Sequence, residues 1–220
     1  MKNGALTGFT IIELVVVIAI VSILAGILIP NFNNILESAR VSTAGSVQRA
    51  MTKAVQMYYL DMGFYPPDVV RGWDPGLVSP CTTLSCSNPD GSAHGSYSSP
   101  IVTCTDCPSG WETIVATSWH GPYLAQWPLK TPWGGLYDYN YWPAGASRPP
   151  CVNNPGVYAG VEGDYDGNHN MPPTAEDKMR AYGFDVPCPN NGEAQMLLQI
   201  LPCHLNSDCT SGNCTNGLCI

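Results

Sequence analysis

Charge is scarce in this chain. Asp, Glu, Lys and Arg supply 12% of its 220 residues, and only nine of them are Lys or Arg. The formal net charge is −8, and an acidic surface repels phosphate, which argues against nucleic acid as the main partner. Histidine is sparse too: His94, His120, His169 and His204 are scattered along the chain. There is no Gly-x-Ser-x-Gly elbow, no His-Glu-x-x-His and no phosphate-cradling loop. The Asp/Glu pairs lie on polar stretches without sign of a desolvated cleft. The expectation is a protein that is not an enzyme. No block of like charges and no clear internal repeat occurs.

Other residues are abundant. Hydrophobic residues make up 45%, enough for one moderate domain with its own core. Gly (22) and Pro (20) point to long loops around a small regular scaffold. Ten cysteines all fall between Cys81 and Cys219. In the cytosol such a set would suggest metal or redox chemistry; outside the membrane it suggests disulfides. Cys81, Cys86, Cys104 and Cys107 have a spacing, C-x4-C-x17-C-x2-C, that suits either a tetrahedral zinc site or disulfides, and export favours disulfides. Cys203, Cys209, Cys214 and Cys219 form a compact C-terminal group with too few apolar residues for a core, so cross-links must hold it. Cys151 and Cys188 are left as a possible pair, and spacing cannot choose among the pairings.

The N-terminal segment is the most specific part. After the short polar stretch 1–8 come Phe9-Thr10-Ile11-Ile12-Glu13, and no residue from Leu14 to Leu36 is charged. A secretory signal peptide places its apolar core before the cleavage site; here the apolar run follows Gly8, so a cut there leaves it on the mature protein. The other reading is an uncleaved signal anchor. The run is long enough to cross a bilayer. One-sided cysteines put the C-terminal part outside. A lone acid inside the bilayer centre costs about 2.5–3.5 kcal/mol, less near an interface, so Glu13 calls for a use. The bland use is to face headgroups.

Gly8, Phe9, Glu13 and Pro30 together resemble the start of a type IV prepilin or type II secretion pseudopilin. That resemblance implies cleavage between Gly8 and Phe9 by prepilin peptidase and methylation of the new amine. It implies that Glu13 of an incoming subunit meets the Phe9 amine of an assembled one, and that Pro30 kinks a long helix. Met57-Tyr58-Tyr59-Leu60-Asp61-Met62-Gly63-Phe64-Tyr65-Pro66-Pro67 is similar to the helix exit of the major pseudopilin, the G subunit. Gly121-Pro122-Tyr123-Leu124, Pro128 and Pro132-Trp133-Gly134-Gly135-Leu136-Tyr137 resemble its later loops, with Thr131 in place of the usual Asp. The insert 71–120 and the stretch after Pro187 depart from that pattern.

The expected fold is α+β: one long kinked helix, from about Phe9 to Met62, packed on a small antiparallel sheet, with disulfide-rich loops and tail. The divisions are 1–8 leader, 9–36 transmembrane and filament-core helix, 37–187 head including the Cys-rich insert 71–120, and 188–220 Cys-rich tail. Leu36, Ala39, Thr43, Val47, Ala50, Ala54 and Tyr58 recur at helical spacing as the packing face, while Glu37, Arg40, Gln48, Arg49 and Lys53 lie mostly elsewhere. Gly63 is the expected helix stop. The tract Leu136 to Trp142 reads as a half-buried strand with Tyr137, Tyr139 and Tyr141 on one face, and Val157 to Val161 as a second.

Asp164, Asp166, Asn168 and Asn170 gather oxygen ligands on a glycine-bearing loop, with Glu176 and Asp177 nearby. They suit either calcium or a solvated acidic turn; position twelve from Asp164 is Ala175, so no EF-hand is present. The functional expectation is a structural subunit of a type II secretion pseudopilus or type IV pilus, polymerising through its N-terminal helix to drive protein export or form a surface fibre. The resemblance implies a single-pass inner-membrane protein with its head outside, then an extracytoplasmic filament. Its partners would be copies of itself, minor pilins or pseudopilins, prepilin peptidase, a membrane assembly platform and a cytoplasmic ATPase. The alternative is a minor pilin whose cysteine-rich head forms an adhesive tip.

Overall fold

The computed structural model describes residues 9–89, 102–146, 152, 154–162, 171–181, 183–184, 193–209 and 211–220, and leaves out the side chains at 27–31, 162, 173 and 193. Gly8, Cys151, Cys188 and the calcium candidates Asp164, Asp166, Asn168 and Asn170 lie outside these residues.

The chain divides into two compact units, Met1–Ala39 and Arg40–Ile220. Helix α1 spans Ile11–Met62, and its helical backbone continues through Pro30, whose side chain lies outside the description. Among the described residues no helix is long and apolar enough to cross a membrane. The helix stops as expected. Gly63 takes φ 77°, and its N–H donates to Tyr59 O at 2.8 Å, satisfying a carbonyl that the last turn leaves open.

In the Arg40–Ile220 unit, β1 (Tyr137–Trp142), β2 (Gly156–Glu162) and β3 (Glu193–Ile200) form an antiparallel sheet with β2 in the middle. Two short helices, α2 (Trp111–Ser118) and α3 (Pro173–Ala181), and a hairpin of β4 (Cys214–Thr215) and β5 (Leu218–Cys219) complete it. The sequence reading named β1 and β2 but not β3, which lies inside the segment assigned to the tail.

The face of α1 that packs on the sheet differs from the expected one. Of the expected face, Ala54 and Tyr58 are buried and Val47 packs against the core, but Leu36, Ala39, Thr43 and Ala50 are exposed, and the buried stripe is completed by Val41, Ala44, Gln48, Met51, Val55 and Met62. Both stripes step by three and four; the observed one carries the larger apolar groups, and burial follows area. Gln48 sits in it with no exposed surface because its amide bonds the sheet: Nε2 donates to Ala159 O at 2.8 Å and more weakly to Ala194 O at 3.4 Å. Gly45 lets the Phe184 ring close on the helix; a Cβ there would stand 2.8 Å from Phe184 Cζ.

Strand β1 is buried on both faces, not half-buried. Tyr137, Tyr139 and Tyr141 share a face as expected and join the core with α1. The opposite face carries Asp138, Asn140 and Trp142, and Trp142 packs with Tyr158 and Val152. The insert belongs to the head core, with Trp73, Leu77, Cys81 and Val115 buried. Asp74 organises its turn: Oδ1 accepts from the N–H groups of Gly76 and Leu77, and Oδ2 from that of Ser79. Leu77 O then accepts from Tyr123 N and Leu124 N, which seats the Gly121-Pro122-Tyr123-Leu124 loop on the insert.

Candidate assembly site

The helix start is built by two side chains. Thr10 precedes the first helical residue, and Glu13 stands three places on. Thr10 Oγ1 accepts from Glu13 N–H at 3.3 Å, while Glu13 Oε2 accepts from Thr10 N–H at 2.8 Å and from Thr10 Oγ1–H at 2.7 Å. This reciprocal arrangement is a capping box: each residue satisfies a backbone donor that the first turn leaves open. The Thr-x-x-Glu spacing was visible in the sequence and was not read as a cap. It also adds a negative charge at the positive end of the helix, where such charge is favourable.

Around the cap the surface is apolar. Phe9, Ile11, Ile12, Leu14, Val15, Val16, Val17 and Ile18 are all exposed. Phe9, Ile12, Glu13, Val16 and Val17 line an open recess of roughly 310 Å³. Phe9 and Glu13 are therefore brought together on one end of the stem, with one carboxylate in an otherwise apolar wall. Such a surface is stable only when covered, by lipid or by other apolar helices.

In the head, the described cysteines are paired. Cys81 bonds Cys86 and Cys104 bonds Cys107, which uses the four sulfurs that zinc would need and overturns the zinc option. Cys203 bonds Cys214 and Cys209 bonds Cys219, so the C-terminal group is an interlocked pair of loops. The close approach of the Cys203, Cys209 and Cys219 sulfurs reflects those bonds, and an oxidised sulfur is a poor metal ligand. Of the residues set beside the calcium candidates, Glu176 is buried on α3 and Asp177 pairs with Arg180 at 2.9 Å.

One polar cluster was missed by sequence. Asp138, on the far face of β1, lies 3.5 Å from Arg71 Nε and takes its neighbour Tyr139 N–H at 2.9 Å. Asp68 stands near it. Burial, reinforced by the charge of Asp138, pushes the Asp68 carboxyl up to about 8, while N–H groups of Tyr141 and Val69 pull the other way. No local pattern announces it, because 68, 71 and 138 meet only through the fold.

No protein-family model matches the chain, and no solved structure does. Curated relatives do. The chain is 44% identical over 66 residues to the type IV major pilin protein PilE of Neisseria gonorrhoeae, covering 30% of this chain and 40% of that one. It is 41% identical over 61 residues to the fimbrial protein EcpC of Eikenella corrodens, 28% of this chain and 40% of the relative. It is 36% identical over 66 residues to the type II secretion system core protein G of Pseudomonas aeruginosa, 30% and 46%. The matches span less than half the length of these relatives. Over that length, and with a long N-terminal helix packed on a small antiparallel sheet, the chain is similar to type IV pilins and to a type II secretion core protein.

Proposed function

We propose that this chain is a structural subunit of a type IV pilus or type II secretion pseudopilus that polymerises through its N-terminal helix. The observation that carries the reading is the stem surface: apolar residues exposed all round Ile11 to Leu24, with one carboxylate at the start. A helix apolar on every side is a buried one, in lipid or among its own kind. Before assembly the segment 9–36 sits in the inner membrane with the head outside; after it, the same residues form the filament core. Prepilin peptidase cuts between Gly8 and Phe9, and an assembly platform with its ATPase extracts the subunit. Cleavage frees an α-amine whose ordinary pKa is about 8, so it is mostly cationic at neutral pH. In low dielectric it attracts the Glu13 carboxylate of a neighbour strongly. The cap on Thr10 holds that carboxylate at the helix end until the exchange.

Intact-mass and terminal-peptide spectrometry of the mature protein tests this. The expected first residue is Phe9, bearing one methyl group. A different first residue, or a chain found only as a membrane-bound monomer, would overturn the reading.

A further inference from the structure

Two exposed patches in the Arg40–Ile220 unit have no role in its core. The first is a knob. Leu84 is 94% exposed at the tip of the turn 81–86. Single exposed leucines are ordinary, but this one is held unusually firmly. The Cys81–Cys86 disulfide closes the turn at its base. Thr82 N–H donates to Ser85 O at 2.9 Å and Ser85 N–H returns to Thr82 O at 3.2 Å. Glu112 Oε1 accepts from Thr83 N–H at 3.0 Å and also from the Thr83 hydroxyl. The turn thus presents an apolar side chain beside a carboxylate with little conformational freedom left to lose, which is the condition for an efficient binding element.

The second patch lies near the end of α1. Lys53, Met57 and Leu60 follow the i, i+4, i+7 spacing of one helical face. All three are exposed, Leu60 at 81%. Among the described residues Lys53 makes no ion pair. Tyr58 faces the opposite way, since a Cβ on Gly76 would stand 3.4 Å from Tyr58 Cε2. Leu60 is two residues further on, about 200° round the helix. It therefore points away from the segment that carries the knob.

We propose that Leu84 and Glu112 of one copy dock on the Lys53–Met57–Leu60 face of the next copy. This contact rests on the filament reading given above. The chemistry is complementary, a leucine with an acid against apolar side chains with a base. In a chain of net charge −8, surface cations beside apolar side chains are few. Leu129 with Lys130 is another such pair, but it offers a single leucine where α1 offers Met57 and Leu60. The two patches look away from each other, so one copy cannot satisfy both with a single partner. Contacts of that kind are head-to-tail; they form a ring where the rotation closes and an open helix where it does not, and the filament reading requires the helix. Heads would then add a second register contact to the Glu13–amine pairing at the start of the stem.

The test places a photo-activatable benzophenone amino acid at position 84 of the full chain, expressed with its assembly machinery as a mixture of isotopically light and heavy copies. The expected product is a light–heavy crosslink whose second peptide lies within residues 49–61. A crosslink at residues 129–130, to a foreign protein, or absent from formed filaments would overturn the proposal. A second arm uses charge. Lys53→Glu should lower filament yield about tenfold, the effect of roughly 1.4 kcal/mol at one contact, while Lys53→Arg, which keeps the charge, should hold the parent yield. Thermal unfolding of each variant checks that the head folds; equal yields from folded Lys53→Glu and parent would sink the contact. If the parent forms no filament, the filament reading falls and this contact with it. If filaments form with the crosslink elsewhere, only this contact falls.

Discussion

From Ile11 to Leu24, α1 turns large apolar side chains outwards on every side, while from Val41 to Met62 the same helix hides one stripe of them under a sheet. The first region has one polar device, the Thr10–Glu13 cap. The second contributes the buried amide of Gln48 to a head that also holds buried acids and disulfides. The contrast separates two kinds of stability. The head is stable through contacts within one chain. The stem has an exposed surface that only other molecules can cover, so its stability belongs to an assembly or a membrane.

The sharpest way to break this comparison is to act on the stem alone. Glu13→Val removes the carboxylate, which eases membrane insertion, and it changes no residue of the head. Filament recovered from sheared cells should fall by at least an order of magnitude, while membrane-fraction protein is unchanged. Undiminished filament yield would show that the acid has no part in assembly.

The next largest effect concerns the buried acids of the head. The Asp68 carboxyl ordinarily titrates near 3.8 and is raised to about 8 by burial and then by Asp138. A raised value means that the folded head holds the proton more tightly than the unfolded chain. Its contribution is full below about pH 4 and is lost as pH rises through about 8. The unfolding temperature of the protein in detergent should therefore fall across that window. Asp68→Asn, which cannot ionise, should flatten the fall. A parent whose midpoint rises between pH 5 and 8 would contradict the placement of Asp68.

A smaller effect is expected at the C-terminal module. Cys203 and Cys214 enclose a loop of sequence separation 11, and closing a loop of that size contributes about 3 kcal/mol. Leu205, Leu218 and Ile220 are exposed there, so little apolar burial replaces the cross-link. The double change Cys203→Ser, Cys214→Ser should make residues 203–220 sensitive to protease while the β1–β3 sheet keeps its unfolding transition. Unchanged protease resistance would mean that packing, not the bond, holds the module.

What was legible in the sequence follows the same division. The stem's chemistry is local, so Phe9, Glu13 and the apolar run were read directly, and only the cap between Thr10 and Glu13 was passed over. Strands β1 and β2 announced themselves through alternating tyrosines and the Val157–Val161 run. Strand β3 did not, because Ala194-Gln195-Met196-Leu197-Leu198-Gln199 is made of good helix formers; pairing with β2 decides its state. Helix α2 was hidden for the reverse reason. It carries Thr113, Ile114, Val115 and Thr117, and its start, Gly110 at φ 74°, offers no side-chain cap. The packing face of α1 is only partly legible, because Gln48 reads as a surface residue until its partners are known. Only a carbonyl pair 111 and 146 residues away makes its burial tolerable.

The smallest expected effect tests how tightly the head's polar groups are matched. Tyr58 has no exposed surface, and its ring meets Phe64 edge-on at 6.0 Å and Tyr123 at 5.5 Å. Its hydroxyl finds no hydrogen-bond partner among the described residues. A buried donor left unpaired is a cost of about 1–3 kcal/mol, while the ring contributes through area and geometry that phenylalanine keeps. Tyr58→Phe should therefore leave the core packing intact and raise head stability by up to about 1 kcal/mol, since part of the penalty is relieved by relaxation. Denaturant unfolding at constant m-value measures it. A loss of stability on that change would mean that the hydroxyl is bonded in solution, and the head would then owe more to buried polar contacts than its apolar core implies.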